Sequence, residues 1–211
     1  MPATTQADYG NISYWDERYA AKGEGQCFDW YQDWNTLRPV LAPYLPSDKI
    51  SCEVLIPGCG NSRMGADLHG EGYMNITNID ISSVVISQMA DRFKELEQMS
   101  FVAMDARNMD KIPEDTFDLI IDKALFDAQL CSDDNIINVN ALVKEMFRVL
   151  KPGGVYLVVS HGAPESRTGY LDRPAQGLSW AVKSIACPKP PIAGLVEEDK
   201  EGCHYVYVCQ K

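Results

Sequence analysis

The sequence predicts an α/β fold with a doubly wound, Rossmann-like sheet of seven strands, mostly parallel, with helices on both faces. From Asp48 onward, short apolar runs alternate with amphipathic segments, which is the pattern of βαβ units around a parallel sheet. Two alternating segments near the end of the chain predict antiparallel strands at the sheet edge. The 211 residues suit one domain, with an aromatic segment at 8–46 before the core at 48–211.

The elements follow in order along the chain. Trp15 and Tyr19 would share a face of the first helix if Asn11 or Ser13 caps it. Strands are predicted at 53–56, 75–79, 101–104, 117–121, 155–160, 182–186 and 204–209. Helices are predicted at 64–69, 84–96 and 139–150. Lys151-Pro152-Gly153-Gly154 should end the last helix and turn the chain.

Composition and charge exclude several classes of function. A net charge of -11 repels nucleic-acid phosphates and favours a basic protein partner, unless the acidity serves only solubility. The 7 cysteines include no C-x-x-C pair, which is typical of reduced cytosolic thiols, and we expect no metal. The start of the chain lacks a signal-peptide layout, and no apolar run reaches the roughly 20 residues that cross a bilayer. We therefore expect a cytoplasmic monomer with neither nucleic-acid nor membrane partners.

Candidate ligand-binding residues follow directly after three predicted strands. Gly58 and Gly60 let the backbone turn sharply and approach a ligand. Asp80 ends the second strand, where a carboxylate can accept hydrogen bonds from both ribose hydroxyls. Asp105 and Ala106 follow the third strand, where a carboxylate and a backbone N–H can bind adenine. Because ligands bind at the carboxyl ends of such strands, we expect these turns to converge on one adenosine.

The segment after the fourth strand is predicted to lie at the reactive end of the bound ligand. It runs from Asp122 to Asp127 and places two carboxylates beside the ammonium group of Lys123. Asp122 or Asp127 could hold an incoming ammonium or take its proton, and either could instead cap the segment. Both interpretations stay open on the sequence alone.

Several segments resemble the seven-strand S-adenosylmethionine-dependent methyltransferases that modify lysine in translation elongation factor 1-alpha. They are Y-W-D-E-R-Y at 14–19, D-W-Y at 29–31, L-I-P-G-C-G-N-S at 55–62 and I-D-I-S-S-V-V at 79–85. The resemblance runs from about 14 to 154 and returns at Ala163, Pro164 and Arg167. It implies S-adenosylmethionine as cofactor, S-adenosylhomocysteine as product, and elongation factor 1-alpha or a similar basic protein as substrate.

The resemblance also implies roles for individual residues. Trp15, Tyr19 and Trp30 would form part of a lid over the cofactor, and Gly58, with Gly60 and Asn61 in the same turn, would contact its methionine part. Asp80 with Ile81 would bind the ribose, Asp105 with Ala106 the adenine, and Lys123 would make a final contact. The family pattern Lys-Gly-Thr-Leu-Asp is replaced here by Lys123-Ala124-Leu125-Phe126-Asp127, close to the expected acceptor site.

Other functions were weighed against this one. The same scaffold serves many acceptors, so a small-molecule methyltransferase is an alternative that a deep, closed acceptor pocket would favour. The altered segment at 123–127 leaves room for a non-catalytic module that only binds the cofactor. Arg63 stands where a dinucleotide fingerprint has its third glycine, which disfavours an NAD-dependent oxidoreductase. His69, His161 and His204 are scattered, so no hydrolase motif is supported.

Overall fold

The computed structural model describes residues 9–22, 27–190 and 202–211. Within these ranges the strands are β1 (Glu53–Pro57), β2 (Asn75–Asp80), β3 (Met99–Ala103), β4 (Phe117–Lys123), β5 (Leu150–Ser160), β6 (Ala181–Pro188) and β7 (Cys203–Gln210). The helices are α1 (Ile12–Lys22), α2 (Trp34–Leu41), α3 (Met64–Gly70), α4 (Ser83–Arg92), α5 (Leu125–Leu130), α6 (Asn135–Val149) and α7 (Pro164–Leu171). Short 3-10 helices lie at Ala42–Tyr44 and Pro174–Gln176.

The seven described strands form one sheet in the order β3-β2-β1-β4-β5-β7-β6. The five strands β3, β2, β1, β4 and β5 pair with their neighbours in parallel. Strand β7 pairs antiparallel with both β5 and β6. The strand order reverses between β1 and β4, and an open α/β sheet forms its binding crevice at such a point. The predicted sheet, mostly parallel with antiparallel strands at its C-terminal edge, is confirmed.

Each face of the sheet carries its own apolar core. Val54 and Ile56 of β1 pack with α2 and α3 residues such as Leu41, whereas Leu55 packs with α6 residues such as Val143. Successive side chains of a strand point to opposite faces, so a strand buried on both sides reads as a continuous apolar run. The predicted arrangement of helices on both faces is confirmed.

Several predicted boundaries were wrong. Strand β3 ends at Ala103 and begins at Met99, and α4 ends at Arg92. Lys151 to Gly154 do not leave the sheet: they belong to β5, where the pairing with β4 shifts register between Phe117 and Leu119. Proline and glycine are typical of turns, but here they form an irregularity in a strand that starts directly after α6.

Three helices carried too weak a local pattern to be predicted. Helices α2, α5 and α7 span only 8, 6 and 8 residues, so each offers about two turns of the 3.6-residue repeat, and α2 also contains Pro39, a residue that disfavours a helix interior. Helix α1 was predicted, and the side chain of Asn11 accepts a hydrogen bond from the backbone N–H of Ser13 at 3.0 Å. The first turn of α1 is therefore supported by one of the two capping residues proposed.

None of the helices in the described ranges has both the length and the apolar character needed to cross a bilayer. Among the same residues, no group of three His, Cys, Asp or Glu side chains is placed to hold a metal ion. The predicted lack of a signal peptide concerns the start of the chain, and residues 1–8 lie outside the described ranges.

Candidate active site

A cavity of about 300 Å³ opens at the carboxyl ends of the parallel strands. Its volume lies at the lower end of the range typical of small-molecule sites. All of the predicted cofactor-binding residues line it: Trp15, Tyr19, Trp30, Gly58, Gly60, Asn61, Asp80, Ile81, Asp105, Ala106 and Lys123. The turns after β1, β2 and β3 thus meet at one cavity, as the sequence predicted.

The turn after β1 leaves its backbone exposed to the cavity because two positions exclude a side chain. Gly58 and Gly60 have φ angles of 59° and 50°, in the left-handed region that favours glycine. A Cβ atom at Gly58 would lie 2.8 Å from Cβ of Leu125, and one at Gly60 would lie 2.8 Å from the hydroxyl of Tyr19. Backbone groups rather than side chains therefore form this wall of the cavity.

Asp80 is held rigidly at the end of β2. Its Oδ2 accepts a hydrogen bond from the backbone N–H of Gly60 at 2.9 Å, and its Oδ1 accepts one from the N–H of Ser82 at 3.0 Å. The residue is 8% exposed, and this burial raises the pKa of its carboxyl. A carboxylate fixed in this way is suited to accept hydrogen bonds from a ligand diol.

Asp105 lies at the adjacent strand end, which is tied to β2 by a hydrogen bond from Met104 N–H to the Asp80 carbonyl at 2.9 Å. Its carboxylate accepts hydrogen bonds from the guanidinium of Arg107, whose other end donates to Asn138. Burial acts to raise the pKa of Asp105, but the Arg107 hydrogen bonds outweigh it and hold that pKa low. The side chain is still 35% exposed, so it remains accessible from the cavity.

Aromatic rings from the N-terminal segment line the mouth of the cavity. The rings of Trp15 and Tyr19 stack with centroids 5.8 Å apart, as their spacing on one helix face predicted. The guanidinium of Arg18 lies 5.3 Å from the ring centroid of Trp30, within cation–π range. The side chain of Ser82 donates a hydrogen bond to Asp16, which fastens α1 to the turn after β2. This N-terminal aromatic cluster (Trp15, Tyr19 and Trp30) is thus anchored to the sheet.

Lys123 at the end of β4 connects the sheet to the segment that carries Trp30. Its ammonium lies 3.0 Å from Oδ1 of Asp29 and donates to the carbonyl of Trp30 at 3.2 Å. The side chain is 5% exposed, and burial lowers its pKa despite the opposing effect of Asp29. The ammonium is therefore already paired within the protein, and Lys123 positions the aromatic segment at the cavity wall.

Asp122 does not fit the catalytic role considered from the sequence. It is absent from the cavity lining and its side chain is fully buried. Its Oδ1 accepts a hydrogen bond from Phe126 N–H at 3.1 Å, and its Oδ2 accepts one from the Tyr156 hydroxyl at 3.0 Å. The capping interpretation is the correct one for this residue, because an acceptor amine cannot reach a carboxylate enclosed by the core.

Asp127 lines the cavity and is the centre of a hydrogen-bonded group that the sequence did not reveal. Its Oδ2 accepts from the Tyr31 hydroxyl at 3.0 Å and from the backbone N–H and Nδ1 of His161 at 2.9 and 2.7 Å. Its Oδ1 accepts from Ser160 Oγ at 2.7 Å and Arg167 Nε at 2.9 Å. Burial acts to raise the pKa of Asp127, but these hydrogen bonds and charges outweigh it and lower that pKa.

Tyr31 and His161 also line the cavity, next to Asp127. One signal could have found His161: it follows β5 directly, so it obeys the same strand-end rule as Asp80. Tyr31 had no comparable signal, since it is separated from His161 by 130 residues in the chain. We call Tyr31, Asp127 and His161 the acceptor triad, after the side of the cavity on which a methyl acceptor was predicted.

The fold and the cavity together define a Rossmann-like methyltransferase domain whose cofactor is S-adenosylmethionine. The residues present fit this cofactor. Gly58 and Gly60 leave no room for a Cβ and so keep the backbone of the turn accessible, and the buried carboxylate of Asp80 is held in place by two backbone N–H groups. A family profile described as a methyltransferase domain matches residues 48–185. The chain belongs to this family of methyltransferase domains.

Individual relatives give a finer comparison. The chain is 37% identical over 157 residues to "eEF1A lysine and N-terminal methyltransferase" of Bos taurus, covering 72% of this chain and 22% of the relative. It is 30% identical over 184 residues to "EEF1A lysine methyltransferase 4" of Bos taurus, covering 83% and 69%. A solved S-adenosylmethionine-dependent methyltransferase from Methanosarcina mazei shares the fold, with a TM-score of 0.63, 20% identity, and 87% and 99% coverage. The chain thus spans 22% of the length of the first curated relative and 69% of the length of the second.

Proposed function

We propose that the chain is a protein-lysine N-methyltransferase that acts on elongation factor 1-alpha or a similarly basic protein, as a cytoplasmic monomer. One observation carries the proposal. A single cavity is lined by the turns after β1, β2 and β3, which suit a nucleoside, and by the acceptor triad. The names of the relatives support lysine of elongation factor 1-alpha as the acceptor. The net charge of -11 supports a basic protein partner and opposes nucleic acid.

The cofactor-binding roles divide among the strand ends. Asp80 with Ile81 would bind the ribose and Asp105 with Ala106 the adenine, while the backbone at 58–61 would accommodate the methionine part. When bound, S-adenosylmethionine would supply a methyl group on a sulfonium sulfur, which leaves as a neutral thioether when an amine attacks the methyl carbon in line. The N-terminal aromatic cluster would cover the bound cofactor and exclude water, which favours a neutral, poorly solvated amine.

At the other side of the cavity, the protein must align one lysine amine of its substrate. Positioning of this kind supplies most of the catalysis, since methyl transfer to an amine requires little covalent chemistry from the protein. The mouth of the cavity carries exposed apolar and aromatic side chains, including Ile12 and Phe28. Exposed apolar surface at the mouth suits contact with a protein better than a closed pocket would.

The test is transfer of labelled methyl groups to purified elongation factor 1-alpha and to other basic proteins, with mass spectrometry to locate the label. We expect label on lysine side chains, and much less of it with Asp80→Ala at a cofactor concentration that does not saturate the variant. The exposed Asp91 offers a matched control, since Asp91→Ala removes a carboxylate whose side chain is 72% exposed. Transfer only to small molecules would favour the small-molecule enzyme. Cofactor binding without transfer to any protein would favour the non-catalytic module.

A further inference from the structure

The acceptor triad contains an imidazole with no assigned role. The side chain of His161 is 53% exposed, whereas that of Asp127 is 3% exposed. His161 is therefore the member of the pair that a molecule entering the cavity can reach. Its Nδ1 lies 2.7 Å from Oδ2 of Asp127, within the range of a strong hydrogen bond.

The hydrogen bonds determine which ring nitrogen carries the proton when His161 is neutral. Asp127 is ionised, because its pKa is low, and an ionised carboxylate can only accept. Nδ1 of His161 must therefore be the donor to Asp127, which leaves Nε2 with a free lone pair. Arg167 approaches Nε2 only at the 3.5 Å limit, so that bond is weak.

Asp127 itself is poorly placed to accept a proton or to hold an ammonium. Its two oxygens already accept five hydrogen bonds, from Tyr31, Ser160, Arg167 and two N–H groups of His161. A carboxylate offers about four lone-pair sites, so the five donors leave none of those of Asp127 free. The arrangement suits a carboxylate that orients an imidazole, as in other sites where a buried acid fixes a histidine tautomer.

Tyr31 adds a third restraint on the imidazole. Its hydroxyl lies 3.0 Å from both Asp127 Oδ2 and His161 Nδ1. Its backbone adopts a φ of 64°, a strained conformation for a bulky residue. Strain of this kind persists only where the surroundings enforce it, and such residues cluster at functional sites.

We propose that Nε2 of His161 accepts the proton that the substrate ammonium must lose before methyl transfer, and that Asp127 and Tyr31 are positioning residues. This inference rests on the proposed lysine acceptor. The ammonium N–H bond breaks, the proton moves to Nε2, and the freed lone pair forms the new N–C bond as the methyl leaves its sulfur. His161 then releases its proton to solvent, to which its ring is open.

A first test needs no substrate and reads the tautomer directly. The ¹⁵N chemical shifts of the His161 ring in the folded protein, assigned by comparison with His161→Gln, should identify a protonated Nδ1 and an unprotonated Nε2. Charged and titratable groups facing this ring come from several elements: Tyr31, Asp127, Arg167 and, on β7, His204. A neutral ring protonated on Nε2 would overturn the proposal.

The second test is the rate of methyl transfer by His161→Gln. We expect kcat to fall by about 100-fold at neutral pH, the size usual for a lost general base. The deficit should shrink at alkaline pH, as lysine loses its proton to solvent near its own pKa of about 10.4. Affinity for S-adenosylhomocysteine should be unchanged, which also verifies that the variant is folded.

The matched control is His69→Gln, because His69 lies outside the cavity lining and contacts the Glu97 carbonyl. A His161→Gln protein with the wild-type rate and pH profile would overturn the role of His161 alone. An equal deficit at every pH would likewise contradict proton transfer. A wild-type protein that binds the cofactor but methylates no protein would instead overturn the proposed function, and this inference with it.

Discussion

Three buried aspartates, Asp80, Asp122 and Asp127, differ in the hydrogen bonds and charges around their carboxyl groups. Burial raises the pKa of Asp80, and it raises the pKa of Asp122 to about 7 against weaker opposing hydrogen bonds. Asp127 is also buried, yet its hydrogen bonds and the charge of Arg167 lower its pKa. These environments suit the roles proposed for Asp80 as a ligand acceptor and for Asp127 as a positioning group, and they place Asp122 as a buried cap.

The ribose role of Asp80 can be tested by binding. We expect Asp80→Ala to weaken S-adenosylhomocysteine binding on the order of 10- to 100-fold, the effect of losing hydrogen bonds to a charged group. Calorimetric titration measures this, with Asp91→Ala as a control that should bind normally. An unchanged affinity in a folded Asp80→Ala protein would remove Asp80 from the cofactor site.

The raised pKa of Asp122 predicts a specific pH dependence of stability. Burial raises its pKa in the folded protein to about 7, above the ordinary aspartate value of 3.8. Its contribution to stability is therefore complete below about pH 4 and is lost as pH rises through about 7. In Asp122→Asn, the free energy of unfolding should fall less between pH 5 and pH 8 than in wild type, by on the order of 2 kcal/mol.

Urea titrations at the two pH values give these free energies of unfolding. Asp91→Asn is the matched control, because its side chain is 72% exposed and it should keep the wild-type difference. If Asp122→Asn shows the full wild-type difference, the Asp122 carboxyl does not become charged within the core over this range.

At the scale of elements, the start of α5 holds a backbone strain that the sequence hinted at. Ala124 immediately precedes α5 and has a φ of 78°, in the region that glycine tolerates best. The family pattern has glycine at this position. Alanine in place of that glycine therefore makes the backbone less favourable at the turn between β4 and α5, beside the acceptor triad.

We expect Ala124→Gly to stabilise the protein by about 1 kcal/mol, because the left-handed conformation costs about 1–2 kcal/mol with a Cβ. Part of that gain is offset by the greater freedom of glycine in the unfolded chain. Ala128→Gly, within α5, should have the opposite sign and destabilise by about 1 kcal/mol. Chemical denaturation of both variants decides the matter, and destabilisation by Ala124→Gly would contradict the strain.

The whole molecule carries 30 acidic and 19 basic side chains, excluding histidine, and this imbalance acts beyond any single contact. Such a field attracts a basic protein from a distance and accelerates encounter. The proposed cofactor contacts, such as that of the buried Asp80, would be screened by salt much less. Substrate encounter and cofactor binding should therefore respond differently to ionic strength.

Raising the ionic strength from about 0.05 M to about 0.5 M should lower kcat/KM for a basic protein substrate by about tenfold or more. The affinity for S-adenosylhomocysteine, measured under the same conditions, should change much less. Steady-state kinetics at saturating cofactor provide the comparison. A kcat/KM independent of salt would show that the acidic surface serves solubility alone.

Local patterns in the sequence were enough to predict seven strands in a mostly parallel sheet and the residues of the turns that line the cavity. Apolar alternation identified the strands, and the strand-end rule pointed to Gly58, Asp80 and Asp105. Short helices such as α5 escaped prediction because six residues carry too little periodicity. The irregular start of β5 escaped prediction because Pro152, Gly153 and Gly154 are residues typical of a turn. The role of Asp122 was left open, since capping and catalysis use the same residue type.

The sequence by itself determined the doubly wound sheet and the strand-end turns that line the cavity, because each strand and turn is encoded by residues close together in the chain. Only the tertiary structure decided the acceptor side. Tyr31 meets Asp127 across 96 residues and His161 across 130, through the crossing of the N-terminal segment over β4 and β5. Side-chain convergence over such distances depends on strand register and packing, which no local repeat of residue types encodes.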